Sequence, residues 1–150
     1  MRRLPVALLT GVLIAAAVVL PAAPAGANAQ QDAIDQLNEV RRANDLPELR
    51  ASASLRRSST NYARHMIDSD YFGHRPRIAV SSQFYRAGET LAMNPGFSPQ
   101  PAHTVDSWMN SPTHRAVLLS PGFGWIGMGT ARGRIGSRLV TVWVAQVGAR

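Results

Sequence analysis

From residue 32 onward, apolar positions recur at helical spacing. Ile34, Leu37 and Val40/Arg41 predict a helix over 32–44, which Asn44-Asp45 ends before Pro47. Leu46-Pro47-Glu48-Leu49 reads as a connector. Ser52 or Ser54 is placed to cap a second helix running to about Ser69, with Leu55, Tyr62, Ala63 and Met66 on its apolar face. Tyr71 to His74 leaves that helix as a turn. Residues 75–87 show no clear period, and 81–86 admit a helical turn. Gly88 to Met93 reads as a short buried strand, and the Pro- and Gly-rich stretch 94–101 as a loop. A helix is predicted over 102–110, with Val105 and Trp108/Met109 inward. A short one follows, with Ser111 as N-cap, Pro112 in the first turn, and Val117, Leu118 and Leu119 as its anchor. The period then changes to two. Residues 125–131 and 139–147 read as strands joined by an Arg/Gly turn, with Val140, Val142 and Val144 on one side and Thr141, Trp143 and Ala145 on the other. Helices first and a hairpin last predict an α+β fold, helices packed on a small, mostly antiparallel sheet.

The segment before residue 30 has a different character. Arg2 and Arg3 precede an apolar run from Leu4 to Leu20, and Ala27-Asn28-Ala29 fits a small-x-small processing site. Residues 1–29 are expected to be a signal peptide cut before Gln30, with Ala25-Gly26-Ala27 as the other usable site. An uncleaved anchor is the competing reading, but the run is short for a span. No other long apolar run exists, so the mature chain is expected to have no transmembrane span. Residues 30–150 have the length of one domain.

Composition narrows the chemistry. There is no cysteine, which excludes thiol catalysis, thiolate-bound zinc and disulfide staples, so the core alone must hold the domain together. All 16 basic residues are arginine, against 9 acids. They are dispersed and lack an interleaved aromatic motif, so no nucleic-acid partner is expected; a general affinity for anionic surfaces suffices. No G-x-S-x-G elbow, H-E-x-x-H helix, phosphate-binding loop or dinucleotide fingerprint is present.

Three residues stand out. Glu89 lies against an apolar stretch, where a lone buried charge costs several kcal/mol without a partner, and a histidine is the natural one. His74 ends the turn after the second helix, and His114 sits in the first turn of a Pro-started helix. Two imidazoles and one carboxylate on rigid elements can bind a divalent metal with an open position, or form a purely structural polar network. His65 and His103 read as solvated surface residues, and Trp108, Trp125 and Trp143 as core.

Taken in order, these segments resemble a known family. Leu37-Asn38-Glu39-Val40-Arg41, Leu46-Pro47-Glu48-Leu49, Tyr71-Phe72-Gly73-His74, Gly88-Glu89-Thr90-Leu91-Ala92, Trp108 to Arg115 and Trp125-Ile126-Gly127-Met128-Gly129 are similar to the ordered motifs of the bacterial branch of the CAP superfamily. This is the SCP-like extracellular domain of cysteine-rich secretory, antigen 5 and pathogenesis-related proteins. The resemblance implies an α-β-α sandwich, a secreted or envelope-associated location, and a cavity lined by His74, Glu89 and His114. It further implies that His74 and His114 are the candidate ligands for Zn²⁺ or another divalent ion. The family's second glutamate is replaced by Ser111, its Asn after Glu by Thr90, and its Gly before His by Thr113. The expected function is therefore an extracellular binding module, taking a divalent metal and a small apolar or lipid-like ligand in a groove between loops 94–101 and 78–86. The alternative is a metal- or His-dependent hydrolase of cell-wall, peptide or ester substrates. Ligand and oligomeric state are left open by the sequence.

Overall fold

The computed structural model describes residues 25–150, with side chains from Ala29; most of the expected signal peptide lies outside the described residues. The elements run α1 (Ala25–Arg42), β1 (Arg50–Ala51), α2 (Ala53–Asp68), β2 (Arg86–Pro95), α3 (Pro101–Met109), α4 (Pro112–Leu118), β3 (Trp125–Ile135) and β4 (Arg138–Ala149). The strands form one sheet in the order β1-β3-β4-β2. It is antiparallel except for the parallel β1–β3 pair.

Strand β4 carries the core on both faces. Trp143, Ala145 and Val147 pack with Ala33, Leu37, Val105, Trp108 and Leu118 from α1, α3 and α4. Val140, Val142 and Val144 pack with Tyr62, Ala63 and Met66 from α2 and with Leu91. Strict alternation along a central strand makes two cores because successive side chains point to opposite faces. The result is the α-β-α sandwich and α+β class expected.

Helix α2 begins where its cap dictates: the Ser52 side chain accepts from the Leu55 N–H. The helix then lies almost backbone-on-backbone against β3. A methyl group on Gly127 would sit 2.0 Å from the Arg56 nitrogen, and one on Gly129 2.1 Å from the Thr60 nitrogen. Ser59 donates to the Gly127 carbonyl at 2.9 Å across this seam.

In the sequence, Arg41 is only one position of a helical stripe. In the fold it is fully buried, and its guanidinium donates to the carbonyls of Pro47, Leu118, Ser120 and Phe123. Asn38 makes a reciprocal pair with the Leu49 backbone, at 3.1 and 2.9 Å. These two side chains tie α1 to the connector and to the end of α4.

Several local expectations are corrected. Helix α1 starts earlier than residue 32. Residues 81–86 form a turn closed by Phe84 N–H to Ser81 O, with no helix, because Phe84 must dip to pack over Gly148. Strand β2 runs through Pro95, into the predicted loop, because β4 pairs with it over its whole length. Ser111 occupies the N-cap of α4 but makes no capping bond; its hydroxyl meets Thr113 instead. Trp125 is only half-buried, under the Arg150 guanidinium 3.9 Å from its ring.

Candidate functional site

Glu89 lies on β2, the sheet's edge strand, two residues from Leu91 and so on the same α2-facing side. Its side chain is 2% exposed. Oε1 receives His74 Nδ1 at 3.0 Å, and Oε2 receives the Gln146 amide at 2.8 Å. Gln146 is opposite Glu89 in the β2–β4 register, which puts the two side chains side by side. The buried carboxylate thus has both oxygens occupied, one by a half-exposed imidazole at 53% and one by a fully buried amide.

His74 reaches this position from the segment after α2. The Tyr62 hydroxyl, on α2, donates to the Gly73 carbonyl and pins the turn. Arg75 lies over the Tyr62 ring at 3.7 Å. Burial, and then the Glu89 charge, push the Tyr62 hydroxyl above its usual range, so it stays a neutral donor. His114 arrives from the opposite face. Its helix packs on β2 through Val117, which would meet a methyl on Gly88 at 2.8 Å. The half-buried His114 imidazole is held below its ordinary value by burial and then by the nearby His74 charge. Its folded-state pKa is depressed, so the unfolded chain binds this proton more readily. The stability due to this group is present above the unfolded value of about 6.5 and falls as the pH drops below it.

The structure therefore joins His74 to Glu89 directly and sets His114 within electrostatic reach of His74. His65 and His103 stay on the exposed surface, as expected. Gln146 was missed, although a polar residue on the valine face of β4 was the same signal that singled out Glu89. Two buried oxygens near this strand pair, Thr90 Oγ1 and Gln146 Oε1, have no hydrogen-bond partner among the described residues.

Metal fit can be judged from the donors. Among the described residues, no three His, Cys, Asp or Glu side chains form a metal cage. Glu89 is spent on His74 and Gln146, so it acts as an orienter. When neutral and donating Nδ1–H to Glu89, His74 keeps its Nε2 lone pair for another partner, an arrangement common behind metal-ligating histidines. The donors that remain are the imidazoles of His74 and His114. Two imidazoles are too few donors for a closed structural site.

The expected groove between loops 94–101 and 78–86 is two separate hollows. One, of about 750 Å³, is lined by 76–82, Phe84, Tyr85 and Ala87, with Ile78, Val80 and Phe84 as its apolar part. The other, of about 430 Å³, lies between Met93, Pro95 and Arg138–Val140. Neither is lined by His74, Glu89 or His114. No helix of the described residues is long and apolar enough to cross a membrane.

Comparison with known proteins accords with this geometry. Residues 34–147 match the family described as "CAP: Cysteine-rich secretory protein family". The chain is 30% identical over 117 residues to the uncharacterized protein YkwD of Bacillus subtilis, covering 71% of this chain and 44% of the relative, so it spans under half of that protein's length. In fold it is similar to an outer surface protein of Borrelia burgdorferi, with a TM-score of 0.67 and 20% identity over 82% of this chain and 93% of that one. It is also similar to an extracellular protein containing a SCP domain from Bacillus anthracis, with a TM-score of 0.66 and 20% identity over 88% of this chain and 45% of that one. The chain belongs to the CAP family, of which it is a member without a single cysteine.

Proposed function

We propose that this protein is an exported binding module of the cell envelope. In this reading, His74 and His114 weakly hold a divalent cation, Zn²⁺ being the natural probe, and the hollow lined by Ile78, Val80 and Phe84 takes a small apolar or lipid-like ligand. The observation that carries binding over hydrolysis is the engagement of Glu89: both carboxylate oxygens are already bonded, and Ser111 stands where a second acid would be needed. General acid–base hydrolysis works best with two groups of divergent pKa, at least one of them free to move a proton. A bound ion would supply a positive charge with open positions for an oxygen ligand. The chain's own part is to hold His74 in one tautomer through Glu89 and Gln146, and to keep His114 neutral by burial.

The test is calorimetric titration of Zn²⁺ into the exported protein and into His114→Ala, at about pH 7.5 and about pH 5.5. Weak binding is expected at the higher pH only, because protonated imidazole cannot ligate, and it should vanish in the variant. Equal heats in both proteins would show that His114 is no ligand. Turnover of an ester, peptide or cell-wall substrate that Glu89→Gln abolishes, with the fold intact, would replace this reading with the hydrolase.

Export itself is supported by the leader pattern and by the similarity to an outer surface protein and to an extracellular protein of other bacteria. Ala29 is 4% exposed and packs in the core with Ala33 and Leu37, so a cut after Ala27 preserves a core residue that a cut before Gln30 removes. N-terminal sequencing of the exported protein should read Asn28 first. A mature chain retaining Arg2-Arg3 would refute export by cleavage.

A further inference from the structure

The turns at one end of the sheet bear apolar side chains that the domain leaves uncovered. Strands β3, β4 and β2 come level there: Ile135 pairs with Arg138, Gly133 with Val140, and Val140 with Pro95. The Gly96 N–H donates to the Leu139 carbonyl, which draws the loop after β2 onto the hairpin. Met93, Phe97 and Leu139 are 36%, 48% and 44% exposed. Met93 and Leu139 also line the cleft of about 430 Å³, with Pro95, Arg138 and Val140. Alternation sets Met93, Pro95, Val140 and Arg138 toward the α2 side of the sheet, and Leu139 with Arg132 and Arg134 toward the other. The apolar surface therefore wraps around the sheet's end and belongs to neither face alone. Arg132, Arg134 and Arg138 flank it and are exposed. Among the described residues the ion pairs are Arg42–Glu48 and His74–Glu89, so none of these three is neutralised. The Asp70 carboxylate also reaches the hairpin, where it accepts from the Gly136 N–H.

The combination selects the occupant. A soluble polyanion would use the arginines and gain nothing from burying Met93, Phe97 and Leu139. A second copy of this chain would cover the apolar groups but set like-charged arginines against one another. An anionic bilayer meets both needs: the apolar side chains enter below the headgroups, and the arginines stay at headgroup level with their stems along the apolar layer. The path of the chain agrees. Gln30, early in α1, bonds Thr130, whereas Arg41 near the helix end reaches the Phe123 carbonyl, so α1 begins toward this end of the sheet. A leader held in a membrane would keep this end turned toward it.

We propose that this end of the sheet, with Met93, Phe97 and Leu139 flanked by Arg132, Arg134 and Arg138, is a docking surface for an anionic lipid bilayer, into which the two turns dip without spanning it. Glu89 precedes Met93 by four residues on β2, about 13 Å, so docking holds the His74–Glu89 pair at a fixed height over the lipid. The surface requires neither a metal at the histidines nor a ligand in the hollow beside Phe84.

The test is sedimentation of the exported protein with vesicles of equimolar phosphatidylglycerol and phosphatidylcholine, and with vesicles of phosphatidylcholine alone. Binding is expected to the anionic vesicles, and at least about tenfold more weakly to the neutral ones. Phe97→Ser combined with Leu139→Ser should lower the affinity at least about tenfold, because it removes two apolar groups and leaves every charge. Replacing Arg132, Arg134 and Arg138 together by Gln should lower it about as much. Replacing Arg56, Arg57 and Arg64 on the exposed face of α2 by Gln removes the same charge elsewhere and should cost less than about twofold. Tyr85→Ser, at the opposite end of the sheet and 79% exposed in the wild type, should leave binding unchanged. Phe97→Trp gives a second readout: its emission should shift to the blue on anionic vesicles and be quenched by bromine on the acyl chains. Equal losses in the two glutamine triples would show that net charge, not this end of the sheet, does the binding. Binding lost in the Arg132, Arg134 and Arg138 triple but intact in the serine double, with no blue shift, would reduce the surface to a polyanion site and overturn the bilayer. Self-association that the serine double abolishes, without vesicle binding, would assign the surface to a second copy.

Discussion

Gly127→Ala should destabilise the protein by at least about 3 kcal/mol, the upper end of what overpacking costs. The added methyl would lie 2.0 Å from the Arg56 nitrogen and 2.3 Å from the Leu55 carbonyl carbon, and both are backbone atoms inside a helix that cannot rotate away as a side chain would. Relief requires α2 to lift off β3. That breaks the Ser59 bond to the Gly127 carbonyl and loosens the packing of Tyr62, Ala63 and Met66. Tyr62 holds Gly73, so the His74 turn should lose its anchor in the same step. Chemical denaturation should show the loss as a fall in midpoint, and thermal melting as a drop of roughly 10 °C or more. Gly124→Ala is the control: no atom lies within 4 Å of its added methyl, and the change should stay within about 0.5 kcal/mol. Similar losses at Gly124 and Gly127 would mean that the close helix–strand contact is not what these glycines serve.

Replacing Arg41 by Met should cost about 3–5 kcal/mol, because it strands buried acceptors while keeping most of the side-chain volume. The Pro47, Leu118, Ser120 and Phe123 carbonyls accept from this guanidinium, and Leu118 and Phe123 are buried at the far end of α4. Burial lowers the Arg41 pKa, yet arginine starts so high that the group stays charged. Its charge also faces the C-terminal carbonyls of α4, where a cation is favoured. Arg41→Lys should recover part of the loss, since an ammonium keeps the charge but cannot fork to carbonyls on three segments. The effect should reach the candidate site: with α4 loosened, His114 regains solvent and its depressed pKa should move back toward the ordinary value. Following the His114 ring protons by NMR against pH would read this directly. An unchanged His114 titration in a folded Arg41→Lys protein would show that α4 is held by other contacts.

How much of this was legible in the sequence differs by element. Helix α2 was readable to within a residue or two because its determinants are local: a serine cap at Ser52 and an apolar stripe from Leu55 to Met66. The alternation of β4 was readable for the same reason, setting its valines on one side and Trp143 and Ala145 on the other, and the fold makes a core on each. Glu89 announced itself as a carboxylate in apolar surroundings, and its need for a histidine followed from the cost of burying a charge.

The tertiary structure decided what depends on residues far apart in the chain. The two-residue β1 has no period to read and exists only because β3 pairs with it. The reach of β2 into a Pro-containing loop was set by its partner β4, since pairing supplies hydrogen bonds that local propensity does not predict. That the His74 imidazole, and not that of His114, bonds Glu89, and that Gln146 takes the second oxygen, follows from strand register and from the Tyr62 anchor. Arg41 is the clearest case. On a helical wheel it is one more position on a stripe. Only the meeting of the 46–49 connector, the end of α4 and the 120–123 loop makes it a buried cation with a shell of carbonyls. Periodicity reports which way a side chain points, whereas the partners that make a charge tolerable are fixed by the fold.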